Sequence, residues 1–250
     1  MLDVRELLLP ERELFASLIR RLDSDAWARP TECPAWSVHG IALHVLGDDL
    51  SLLARQRDSA TNGLFLYAEE HPGETFRQLL DGFNEQWVRA ARFLSPRLTA
   101  DLLELTGVST DAFYRSVDPH EPGEPVGFFG SNGEPSPWWQ VMAREYAERW
   151  IHHEQVRRAL GVDPVDAAFA DPAMAVVVEG FGARNADLGD FSIGERSWTF
   201  RNDGADIRLD QALARKVLSR SLTFDDTLAA MTGRSDVVER LASQTCQAYL

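Results

Sequence analysis

Cysteine is scarce in this chain. Cys33 and Cys246 are the only two in 250 residues, they lie near opposite ends, and neither sits in a CxxC or Cys/His cluster. That excludes a disulfide framework or a zinc-finger arrangement and leaves two reduced thiols in a cytoplasm. Basic charge is also short: 25 Lys and Arg against 39 Asp and Glu give a formal charge of −14. Such a field repels phosphate backbones, which argues against nucleic acid and anionic membrane surfaces as partners. No apolar run reaches the length of a membrane span. The opening Met-Leu-Asp-Val-Arg-Glu places acidic residues where a secretory signal needs a basic and then an apolar stretch. The expectation is a soluble, unprocessed, cytoplasmic protein. Several catalytic signatures are missing too. There is no HExxH, no pair of ExxH motifs for a di-iron bundle, no Gly-rich phosphate loop and no GxSxG elbow.

What is present is enough apolar material, 44% of the residues, for a large core or for a medium core with a small second one. Apolar spacing predicts a helix from about Val4 to Leu22, with Pro10 near its first turn, then a loop from Asp25 to Ala35. Ser37 is a suitable N-cap for a second helix running to about Arg57 and carrying His44. Phe76, Leu79, Leu80, Phe83, Trp87, Ala90, Ala91 and Leu94 form the cleanest helical stripe, stopped by Pro96. The stretch from Gly107 to Pro137, rich in Gly, Pro, Asp and Ser, reads as a long lid-like loop. A fourth helix follows from Pro137 to Leu160, capped by Gly161. Beyond Pro164 the texture changes. A helix over about Pro172 to Asn185 precedes two short strands, Ser197 to Arg201 and Ala205 to Leu209, joined by a turn at Asn202-Asp-Gly204. Leu213 to Phe224 is ambiguous, and a last helix spans Ser235 to Ala248. The expected class is mainly α with a small α+β C-terminal part: an up-and-down four-helix bundle over 1–162 and a small α+β domain over 163–250.

One pair stands out for chemistry. Glu148 and His152, four residues apart, share a helix face one turn apart. Joined by an imidazole such as His44 from a neighbouring helix, they make a three-ligand metal site with a position left for water or substrate. The same spacing also suits a surface ion pair. Asp48, four residues after His44, is a partner for that imidazole, an extra ligand, or a surface charge. His153 and Glu154 fall on other faces of the helix, where solvent is expected, as it is for Glu145.

Two segments resemble the DinB-like bundles, specifically the mycothiol-dependent maleylpyruvate isomerase group. Asp25 to His44, containing Trp27, Pro30, Thr31, Cys33, Pro34, Trp36, Ser37 and Val38, is similar to that family's "W..PT.CPGWSV.D...H" signature, and Ala143 to His152 to its "R..E.W.H" helix. Ala35 stands where the family has Gly, His39 replaces an acidic or polar residue, and Glu154-Gln155 stands where Asp is common. The resemblance implies a divalent metal, zinc first and nickel or iron as alternatives, at His44, Glu148 and His152. It also implies a low-molecular-weight thiol, mycothiol or similar, as cofactor. In the family's isomerase the thiolate adds to a cis double bond, permits rotation and is eliminated, and related S-transferases share the first step. Small-molecule substrate and thiol are then the partners, for a monomer or homodimer. No arginine clearly matches one that would grip a dicarboxylate; Arg55, Arg144 and Arg234 are candidates by position alone, and each reads first as an ordinary surface arginine. Two other readings stay open: a non-enzymatic small-molecule-binding or regulatory module, and a metal-dependent hydrolase that needs no thiol, with Asp48 or Glu145 as base.

Overall fold

The computed structural model describes residues 3–245, so Cys246 and the end of the expected last helix lie outside the described residues. The chain is mainly helical with one small four-stranded sheet. No described helix is long and apolar enough to cross a membrane. Two compact units divide it: a helical unit of Arg5–Asp118 with Arg158–Val162, and a mixed unit of Pro119–Arg157 with the chain from Asp163 onward.

In the helical unit, α1 (Arg5–Ile19) tolerates Pro10 inside it and buries Leu8, Phe15 and Ile19. The short α2 (Ser24–Trp27) is capped by Asp23, whose side chain accepts from the Ala26 amide. Ser37 caps α3 (Val38–Leu52) as expected, accepting from the Gly40 amide. The helix then passes into a π-helical turn, Leu53–Arg57. An unanticipated α4 (Gly63–Glu70) follows, capped by Asn62 and with no buried residue. Thr75 and Gln78 form a reciprocal capping box at the start of α5 (Phe76–Ala91).

Two expectations are corrected here. The α5 stripe is not core: only Val88 and Ala91 are buried, and Phe76 is 71% exposed, because much of the stripe faces α4 and a cavity rather than a packed neighbour. The span from Gly107 to Pro137 is a loop only in part: residues 107–116 are helical, and 117–137 are irregular apart from one 3-10 turn and an isolated bridge. α5 already ends at Ala91, and Pro96 occupies the first turn of a 21-residue helix, α6 (Pro96–Ser116), with Ser95 as N-cap. Gly107 inside that helix is a packing device, since a Cβ there would lie 2.4 Å from Cγ of Arg12. Arg12 in turn donates to Asp49 Oδ1 at 2.9 Å, and Thr106 donates to Asp49 Oδ2 at 2.7 Å, with both ion-pair side chains 2% exposed. This buried network ties α1, α3 and α6 together.

In the mixed unit a 3-10 turn (Gly127–Phe129) precedes α7 (Trp138–Leu160), which ends at Gly161 with φ +68 as expected. Asp166 caps α8 (Ala167–Arg184), which contains Pro172 rather than starting at it. The strands also differ from expectation. A strand missed in the sequence, β1 (Leu188–Ile193), pairs antiparallel with β2 (Arg196–Thr199) through the two-residue turn Gly194-Glu195, where Gly194 takes φ +58. β3 (Ala205–Leu209) then lies parallel to β1, not hairpinned to β2, and β4 (Met231–Gly233) closes the order β2-β1-β3-β4. The ambiguous segment resolves into α9 (Ala214–Leu218) followed by α10 (Phe224–Ala229), and α11 (Ser235–Thr245) comes last. Phe181 of α8 packs on Phe191 of β1, ring centroids 5.5 Å apart, with Val176, Leu188, Ile207 and Leu241 also buried.

Candidate functional site

The segment before α3 is wound tightly enough to aim His44. Thr31 Oγ1 donates to the Trp36 carbonyl at 2.7 Å, the Trp36 amide donates to the Cys33 carbonyl at 2.9 Å, and the Val38 amide donates to the Arg29 carbonyl at 2.9 Å. The Trp36 ring lies against the His44 ring, centroids 4.7 Å apart, and its indole N–H donates to Glu85 Oε2 of α5 at 2.8 Å. Gly40 leaves the room for this, since a Cβ would come within 2.8 Å of Trp36. His44 is 7% exposed, and its Nε2 lies 3.4 Å from Asp48 Oδ2, so Asp48 is the neighbour of that imidazole. His39 is a packing residue here. Its Nε2 lies 3.2 Å from Thr99 Oγ1, its ring meets Trp27 edge-on, and burial pushes its pKa down.

In the mixed unit, α7 places Glu148 and His152 one turn apart on one face. His152 is 7% exposed and its Nδ1 lies 2.9 Å from Gln155 Oε1. Gln155 thus holds the His152 ring by its Nδ1 edge. Glu148 is gripped by Arg220, whose Nη2 donates to Oε1 at 2.8 Å and Nη1 to Oε2 at 3.2 Å. Burial alone would raise the Glu148 pKa, but Arg220, Arg144 and His152 outweigh it and hold the carboxyl at about 2. Arg220 adopts φ +56, a left-handed backbone conformation that costs free energy in a non-glycine residue. Arg184 lies nearby, its guanidinium carbon 4.9 Å from the Phe128 ring centroid. Burial, with Arg220 as a second cause, lowers its pKa to about 10.

Several expectations for single residues change. His153 and Glu154 are not solvated: each is 1% exposed. Glu154 accepts from the Val165 amide at 3.0 Å and from Arg215 at 3.4 Å, which makes it a structural anchor for the chain after α7, and His153 Nε2 meets Arg157 at 3.3 Å. Glu145 is also buried, 4% exposed, and bonded to Arg144. Of the three arginines picked by position, Arg144 acts on Glu148, Arg55 donates to Ser51 at 3.3 Å, and Arg234 pairs with Asp187 and Asp236 at the surface. Arg184, at the end of α8, reads in sequence as an ordinary last-turn cation, and Arg220, between two short helices, carries no spacing signal.

The structure thus keeps Glu148 and His152 on one helix face in the mixed unit and His44 in the helical unit. Among the described residues no group of three or more His, Cys, Asp or Glu side chains is gathered in a metal-holding arrangement. The donors themselves suit a divalent cation: an ionised carboxylate and an imidazole whose Nδ1 is pinned by an amide oxygen.

Residues 8–157 match the model of a family described as the mycothiol maleylpyruvate isomerase N-terminal domain. Two solved structures are similar in fold. One is a crystal structure of a histidine-to-alanine mutant of the mycothiol-dependent maleylpyruvate isomerase, with TM-score 0.53 and 13% identity over 92% of this chain and 93% of that one. The other is a crystal structure of the mycothiol-dependent maleylpyruvate isomerase, also with TM-score 0.53 and 13% identity, over 87% of this chain and 89% of that one. No curated protein matches in sequence.

Proposed function

The chain belongs to the mycothiol maleylpyruvate isomerase family, and from that membership we propose that it is a metal-dependent enzyme that activates a low-molecular-weight thiol for isomerisation or S-transfer. His44, Glu148 and His152 are the proposed ligands of a divalent ion, zinc before nickel or iron. The observation that carries this reading is on α7, where an ionised carboxylate stands one turn from an imidazole held by Gln155 at its Nδ1 edge. When bound, the ion supplies the positive charge that lowers a thiol's pKa enough to form the nucleophile at neutral pH.

The protein's own groups prepare that chemistry. Gln155 holds the His152 ring in one orientation by its Nδ1, leaving the Nε2 edge for a ligand. Arg220 and Arg144 keep Glu148 anionic, so no proton has to leave it before it can act as a ligand. Arg144, Arg184 and Arg220 also concentrate positive charge around one carboxylate, a field that favours a thiolate over a thiol.

The test is elemental analysis of freshly purified protein together with calorimetric titration of thiols, mycothiol among them, and thiol-dependent turnover of an activated alkene. One divalent ion per chain, lost in His44→Ala and in His152→Ala together with thiol-dependent turnover, supports the reading. Turnover that needs no thiol would point to metal-assisted hydrolysis instead. Ligand binding without turnover across thiol donors would point to a binding module.

A further inference from the structure

A cavity of about 500 Å³ lies wholly within the helical unit, between α3 with its π-helical turn and α5, and His44 stands on its wall. The α3 side is a row at helical spacing, His44, Asp48, Ser51 and Arg55, and the α5 side is the apolar row Phe83, Trp87 and Ala90. These are the positions of the α5 stripe that reads as core in the sequence yet is not buried.

Thr61, Asn84 and Gln86 also line this cavity, while the polar groups of the α3 row and of Trp87 are engaged with one another or with backbone. His44 Nε2 lies 3.4 Å from Asp48, Arg55 Nε donates to Ser51 Oγ at 3.3 Å, and the only polar atom of Trp87 donates to the Leu43 carbonyl at 2.6 Å. Gly47 lets the indole lie flat on α3, since a Cβ there would come within 2.4 Å of the ring. What Trp87 offers an occupant is therefore carbon surface, continued by Leu50, Ala54 and Phe83. A polyhydroxylated body gains little from such walls, whereas an apolar one gains free energy for each group it buries. The volume falls in the range of roughly 300–1,000 Å³ typical of sites for drug-sized molecules and is generous for a short dicarboxylate.

We propose that this cavity receives the apolar body of the electrophile, so that the substrate class is a medium-sized, largely apolar thiol acceptor. The proposal rests on the reading that a thiol is activated at His44. With a conjugated enone as acceptor, a sulfur–carbon bond forms at the β-carbon and the proton given up by the thiol ends on the α-carbon. Nothing is oxidised or reduced.

Two homologous series test it. Unreactive alkan-3-ones, from pentan-3-one to nonan-3-one, are titrated calorimetrically, and alk-1-en-3-ones of matching length are turned over with mycothiol. In the wild-type protein Kd and KM both fall about threefold per added methylene until the cavity is full. In Ala90→Trp, checked for native circular dichroism, both become insensitive to length, and Ala54→Leu serves if that variant fails to fold. Ketone affinities independent of length, or an unchanged length dependence in the filled variants, overturn the proposal. Length-dependent ketone binding with no thiol-dependent turnover overturns the thiol reading and leaves the apolar ligand class standing. Thiol-dependent turnover with a length-independent KM does the reverse.

Discussion

Replacing Arg220 by Gln removes the guanidinium fork from Glu148 while keeping an uncharged polar side chain at that position. The carboxyl is held at about 2 against an ordinary 4.5, with Arg220 the foremost of the charges that lower it. A depression of that size is about 3 kcal/mol of folding free energy at neutral pH, and the carboxylate side chain is 16% exposed, so solvent screening is modest. The sign follows from the depressed pKa: the contribution is complete above the unfolded value near 4.5 and is lost as pH falls through about 2. By linkage, roughly 1.4 kcal/mol of it survives at pH 3. The variant gives up most of this, because burial then opposes ionisation with only Arg144 and His152 against it. Urea denaturation of the metal-free proteins at pH 7, 5 and 3 should show a gap of about 2–3 kcal/mol at pH 7 that shrinks to about 1 kcal/mol at pH 3. Arg220→Lys, which keeps the charge but not the bidentate geometry, should lose less. A gap that stays constant or widens as the pH falls would refute the assignment of Arg220 as the group that keeps Glu148 ionised.

Other perturbations follow from the same geometry. Asp49→Asn removes the carboxylate charge facing the buried Arg12 and should cost about 3–5 kcal/mol in urea denaturation, whereas the double replacement Arg12→Met with Asp49→Leu should recover most of it. Gln155→Leu frees the His152 ring to reorient and should weaken divalent-metal affinity about 10–100-fold in a chelator competition, with circular dichroism unchanged. His39 has its pKa lowered by burial, so the stability it contributes is present above about pH 6.5 and declines as pH falls below that value. In His39→Gln, thermal denaturation should fall less between pH 7 and pH 5.5 than in the wild type. A steeper fall would contradict the burial argument.

Local chemistry was legible in the sequence. Ser37 reads as an N-cap and is one, Gly161 ends α7 in the left-handed conformation, and Glu148 and His152 share a face because four residues are about one helical turn. The Trp36-to-His44 segment and the α7 segment were enough to point to the family, since tight turns and ligand-bearing helices leave fixed residue types at fixed spacings. Composition carried the helical class and the small mixed part after it.

Tertiary structure decided what depends on neighbours far along the chain. The glycine and polar residues from Gly107 on look like loop, yet residues 107–116 are helix and Gly107 makes room for Arg12, an environment set by a helix about a hundred residues earlier. The α5 stripe looks like core, but periodicity reports that a face is apolar and not whether protein or an open cavity meets it. His153 and Glu154 look solvated from helix geometry alone, and burial came from the chain that follows α7. Arg220 is the sharpest case. Its grip on Glu148 is a contact between residues 72 positions apart, and a single arginine between two short helices leaves no pattern in sequence to mark it.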